Sequence, residues 1–163
     1  MAKKTYSLKT ASIICVLSVV IMAVALVFSK GSAPAEFTPP PFDADAVQGV
    51  PSVPADSGWG EIDAKAFRAS VCGKIIVTDG TADIWLTNPV ENEVWLKLRV
   101  LDSSGGTIGE TGLIRPGEYV QTLQFDTVPR AGESIGLKLM AYEPETYYSA
   151  GSAILNTTVL GGK

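Results

Sequence analysis

The chain contains no histidine and only two cysteines. Without an imidazole, a serine or cysteine triad with a histidine base cannot be assembled, and imidazole metal sites are excluded with it. Cys15 and Cys72 belong to no Cys-x-x-Cys or metal-ligand spacing. Beyond residue 30 there is no helical hydrophobic period, which argues against bundles and α/β folds. Basic charge is also scarce there. Four of the 13 Lys and Arg fall within residues 1–30, so the remainder sets nine basic residues against all 17 acidic ones. An acidic domain of this kind is a poor partner for nucleic acid or anionic lipid.

The acids themselves offer little chemistry. Glu91 with Glu93, and Glu143 with Glu145, are paired carboxylates, but both pairs sit in turn-rich segments rather than facing each other across a cleft, as glycosidase chemistry requires. Asp79 and Asp83 flank Gly80 and fall short of a calcium loop. The expectation is therefore no enzyme, no cofactor and no metal. Asn156-Thr157-Thr158 matches a glycosylation sequon, a pattern frequent by chance.

What the chain does have is an uncharged apolar run of 18 residues at positions 11–28, preceded by Lys3, Lys4 and Lys9 and followed by Lys30. At helical rise such a run spans roughly 27 Å, about one bilayer core. The lysine bias predicts a cytoplasmic N-terminus over residues 1–10, a signal-anchor helix over 11–29 in contact with the lipid bilayer, and export of everything beyond. A cleaved signal peptide is the rival, with Ala33-Pro34-Ala35 resembling a cleavage site, although its apolar region is usually only about 7–15 residues long. On this topology Cys15 and Cys72 lie on opposite sides and cannot pair. Cys72 is expected in or near the core, with an intermolecular disulfide as the alternative.

Residues 30–59 read as a linker. Six of the ten prolines fall in residues 31–58, and the segment has no strand or helix period. Residues 60–163 read as one extracytoplasmic domain of short strands separated by turns. Strands are predicted at 63–71, 74–78, 82–87, 93–101, 107–113, 118–125 and 134–142. A last strand has Ala153, Leu155, Thr157 and Val159 as its inward row. Seven or eight such strands predict an all-β, antiparallel sandwich. If residues 82–87 and 93–101 close as a hairpin, Ile84 faces Leu96 and Leu86 faces Val94 on the inner side. On the outer side Asp83 then meets Lys97 and Trp85 meets Trp95.

The segments Asp79-Gly80, Asn88 with Asn92, Asp102 with Gly105, Gly112-Leu113-Ile114-Arg115-Pro116-Gly117 and Ala141-Tyr142-Glu143-Pro144-Glu145-Thr146 together resemble the turn pattern of small single-pass membrane-anchored proteins of Gram-positive bacteria. The resemblance covers roughly residues 75–160. It implies an immunoglobulin-like sandwich behind one membrane helix and carries no established activity. The tryptophans depart from that pattern.

Trp85 and Trp95, sharing a face with Lys97 and Arg99, form the candidate contact surface, for an envelope protein or for a glycan stacked on the rings. The plainer reading is that the rings cover each other and the stems of Lys97 and Arg99, or are roofed by the linker or a neighbouring strand. The expected function is a non-catalytic structural or protein-interaction module of the bacterial cell envelope. The rivals are a carbohydrate-binding module and a subunit of a surface filament with the apolar helix in its core. Oligomeric state is left open.

Overall fold

The computed structural model describes residues 37–161. The basic N-terminus, the apolar run with Cys15, and the start of the linker lie outside the described residues. Among the described residues, no helix is long and apolar enough to cross a membrane.

These residues are all β. The strands are β1 (Val47–Gln48), β2 (Trp59–Ala64), β3 (Phe67–Cys72), β4 (Ile75–Thr78), β5 (Thr81–Thr87), β6 (Trp95–Leu101), β7 (Thr107–Glu110), β8 (Glu118–Gln124), β9 (Ser134–Tyr142) and β10 (Ser149–Leu160). In one layer β5 carries β8 on one edge, with β4 and then β3 on the other; β1 extends β8, and β2 extends β3. The other layer runs β10-β9-β6-β7. A parallel pairing of Val159 and Leu160 with Ile75 and Ile76 joins the layers at one corner, and a bridge between Gly109 and Phe125 joins them at another. The result is a curled, mixed, sandwich-like sheet. Its core is filled by Ile84 and Leu86 of β5, Leu96, Leu98 and Val100 of β6, and Leu137 and Leu139 of β9.

The alternation of apolar residues thus placed Ile84, Leu86, Val94 and Leu96 inward, where they are buried. It did not place their strands. β5 and β6 form no hairpin: β5 pairs with β8, β4 and β3, whereas β6 pairs with β9 and β7. The connecting segment crosses from one layer to the other, and its two asparagines fasten it. Asn88, with no exposure, donates from Nδ2 to the carbonyls of Val94 and Ile114 at 2.9 and 3.1 Å, and its Oδ1 accepts from Asn92 at 2.7 Å. Asn92 in turn accepts from the Arg68 N–H and donates to the Arg68 carbonyl. One side chain here satisfies backbone groups of two separate segments, which a buried loop must do somehow. The strand expected over residues 63–71 is likewise two strands, β2 and β3, folded back on each other with Ala64 opposite Phe67. At the β4–β5 turn the expectation holds. Asp79 and Gly80 both have left-handed φ, 50° and 79°, as a tight two-residue hairpin turn demands.

Part of the expected linker belongs to the fold. The compact unit begins at Pro39, not near residue 60. Leu113 N–H donates to the Pro41 carbonyl and Asp43 N–H to the Leu113 carbonyl, both at 2.9 Å. The Asp43 carboxylate accepts from Gly112 N–H at 2.7 Å. A Cβ on Gly112 would collide with the backbone of Asp43, so the approach requires glycine there. Further along, β1 pairs with β8, and Gly49 N–H donates to Gly117. Proline-rich composition signals extended backbone. An extended strap docked on a sheet edge and a free extended linker share that signature.

Candidate functional site

Trp95 opens β6 opposite Tyr142. Phe42 of the strap meets its ring edge-on at 4.8 Å, and Tyr147 meets it at 5.2 Å. The Arg115 guanidinium lies 3.6 Å from the centre of the Phe42 ring and pairs with Glu118 at 3.4 Å. Of the coverings expected for the rings, Trp95 therefore has the roof supplied by the N-terminal segment.

Two places along β6, Lys97 is only 5 % exposed. Its ammonium sits 2.7 Å from one oxygen of Glu110, and Arg99 sits 2.9 Å from the other. Partial burial pushes the Glu110 carboxyl up, but the hydrogen bonds and charges of Lys97 and Arg99 outweigh that and hold it below the usual glutamate value. Trp95, Lys97 and Arg99 share a strand, as expected. Trp85 does not join them, because it belongs to the other layer. The paired-tryptophan surface expected from the hairpin register is not formed, and Lys97 is an interior charge rather than a surface one.

Trp85 sits in different circumstances. The β5–β8 register slips by one residue between Asp83 and Leu86, a β-bulge. Trp85 occupies the bulge with a φ of 46°, left-handed backbone for which a bulky side chain has no preference. Its carbonyl accepts from the Trp59 indole at 3.0 Å and from the Thr87 hydroxyl at 3.2 Å. Its ring stacks on Tyr119 at 6.1 Å. Its own indole N–H is enclosed, with no acceptor in reach among the described residues. Left-handed strain of this kind costs about 1–3 kcal/mol, and an orphaned buried donor costs a similar ~1–3 kcal/mol.

Beside it opens a cleft of about 460 Å³, walled by Asp56, Ser57, Lys74, Thr78 and Asp83 together with Ile76 and Trp85. Cys72 lies behind this wall with no exposure. Burial pushes its thiol up, a hydrogen bond with Ser57 partly opposes that, and the Asp83 charge adds to the rise. A buried, protonated thiol is a poor candidate for the intermolecular disulfide. Asp83 thus helps line a cleft, while Asp79 serves the β4–β5 turn. Among the described residues no three His, Cys, Asp or Glu side chains could hold a metal ion together. Asn156 of the sequon lies exposed in β10, and Thr157 donates to the Gly73 carbonyl at 2.7 Å.

Trp59, Tyr119, Lys74 and the Asp56-Ser57 pair are the residues that sequence reasoning missed. Trp59 was legible only as a third tryptophan at the end of the linker. The bulge had no signal, since it places tryptophan where glycine or asparagine would announce a left-handed turn.

No protein-family model matches the chain, and no curated protein matches it. Among solved structures, CopC from Methylosinus trichosporium OB3b is similar over 64 % of this chain and 96 % of that one, at 17 % identity and a TM-score of 0.37.

Proposed function

We propose that the chain is a single-pass, membrane-anchored recognition module of the bacterial envelope, with an immunoglobulin-like sandwich on the outer side and no catalytic step of its own. In this reading it sits with the small anchored proteins of Gram-positive bacteria that its turn pattern resembles. The placement is supported by the uncharged run at 11–28 and the lysines before it.

The observation that carries the recognition reading is Trp85. Strain and an unpaired buried donor, set together at the edge of a cleft, persist where surrounding structure enforces them, and such positions cluster at ligand clamps. The placement has a direct test. Protease added to intact protoplasts should digest the folded unit and leave peptides from residues 1–30 in the membrane fraction. Protection of the folded unit would reverse the orientation, and a mature N-terminus at Glu36 would replace the anchor by a cleaved leader.

A further inference from the structure

The cleft beside Trp85 is chemically two-sided. Asp56 and Asp83 bring carboxylate acceptors, Lys74 an ammonium donor, and Ser57 and Thr78 hydroxyls that do both, while Ile76 and Trp85 bring apolar surface. A ligand matched to such a wall donates and accepts hydrogen bonds at several points and also carries an apolar patch. Two carboxylates against one ammonium leave the wall negative, which opposes phosphate, sulfate and carboxylate groups. A cleft of about 460 Å³ has the size of a small-ligand site. A pyranose ring, with hydroxyls around its rim and C–H groups on its faces, meets each of these conditions.

Trp85 supplies the second half of the argument. Its indole N–H is enclosed and unpaired, and its backbone is held left-handed in a bulge. Moving the side chain is the way to relieve that conflict, and a ligand that offers the N–H an acceptor would favour the moved arrangement.

We propose that this cleft binds a neutral saccharide, and that Trp85 shifts on binding so that its indole N–H donates to a sugar oxygen. The inference rests on the recognition reading and names its ligand class. Asp56 and Asp83 accept from sugar hydroxyls, Lys74 donates to one, and the charge of the wall selects against acidic sugars.

The test uses the full-length chain, isotopically labelled, in dodecylphosphocholine micelles, because that detergent has no sugar headgroup. Glucose, galactose, mannose, N-acetylglucosamine and their disaccharides are titrated while the indole N–H resonances are followed. The Trp85 signal is identified by its absence in Trp85→Phe. The expected result is a saturable downfield shift of that signal with at least one neutral sugar. Asp83→Asn and Lys74→Ala should weaken the binding about tenfold or more without changing the melting temperature. No saturable shift at up to about 50 mM of any of these sugars, far weaker than millimolar binding, would overturn the proposal. So would a shift unchanged in both variants, or one produced by acidic sugars or simple amines alone. Failure here, with the protease result standing, removes the saccharide and leaves the anchored module.

Discussion

Trp85 and Trp95 stand one place before Leu86 and Leu96, two core leucines with no exposure, and end in opposite circumstances. Trp95 lies in a regular stretch of β6, wedged between Phe42 and Tyr147, with charged neighbours that Glu110 bridges. Trp85 lies in a bulge, left-handed, with an orphaned N–H beside an open cleft. Residue type and alternation phase are the same. The difference arises from what each strand was given as a neighbour. Trp95 received a strap that finishes its packing, while Trp85 received a bulge that leaves a conflict unresolved. One ring is packed on both sides, and the other keeps a left-handed backbone and, among the described residues, an unpaired N–H.

The contrast needs a ruler, and the adjacent core residues provide the largest effect. Leu86→Ala and Leu96→Ala should each cost about 2–5 kcal/mol in urea melts. If either melted like the unaltered chain, the core placement of that strand would be wrong. Trp95→Ala should follow at about 2–3 kcal/mol, below a fully buried tryptophan because the residue is only partly buried. It should also unpin the strap, so that the amides of Asp43 and Leu113 lose protection against hydrogen exchange. Unchanged protection of those two amides would show that the rings do not hold the strap.

Next in size is the charge cluster on the same strand. Glu110→Gln should destabilise by about 1 kcal/mol at neutral pH, a figure kept low because the carboxylate is partly exposed. The sign with pH is set by a folded-state pKa below the unfolded one. The contribution is complete above the ordinary glutamate value, near 4.3, and is lost as pH falls through the depressed folded value. Stability measured from pH 6 down to pH 3 should therefore fall more steeply for the unaltered chain than for Glu110→Gln. Parallel curves would mean that the carboxylate is not the group holding Lys97 in place.

The smallest effect is the sharpest test of the comparison. Trp85→Gly should change stability by less than about 1 kcal/mol, because the lost ring contact is offset by relief of left-handed strain and of the orphaned N–H. Trp85→Ala, which keeps the strain, should be the worse of the two. Were Trp85→Gly as damaging as Trp95→Ala, the two tryptophans would be equivalent structural residues and the case for a ligand at Trp85 would weaken accordingly.

Much of this architecture was legible from residue order. Period-2 alternation marks inward residues because the pleat leaves no choice, which is why Ile84, Leu86, Val94 and Leu96 were readable. Turn chemistry at Asp79-Gly80 was readable for the same local reason. Pairing was not. Leu86 and Val94 face inward whether β5 lies beside β6 or in the opposite layer, and the long-range pairings of β5 with β8 and of β6 with β9 that separate the two leave no local signal. The strap was hidden because proline-rich backbone looks alike free or docked. The cleft was hidden because it draws Asp56 and Ser57 from the supposed linker, Lys74 and Thr78 from β4 and its lead-in, and Asp83 and Trp85 from β5.

The strap has a mechanical consequence. A load entering the chain ahead of Pro39 meets the bonds of Pro41 and Asp43 to Leu113, the Asp43–Gly112 bond and the contact of Phe42 with Trp95 before it reaches any strand of the core. These are few, so they give way first. The segment ahead of β1, which β8 still holds, would then pay out on the order of 25 Å of extended chain while the layers built on β5 and β9 keep their shape. Single-molecule pulling from the N-terminal side should show this as a short, low-force lengthening ahead of the main rupture, and a single rupture would show the strap and core failing together. The fold would in that way carry its own slack, taken up at rest and released under tension.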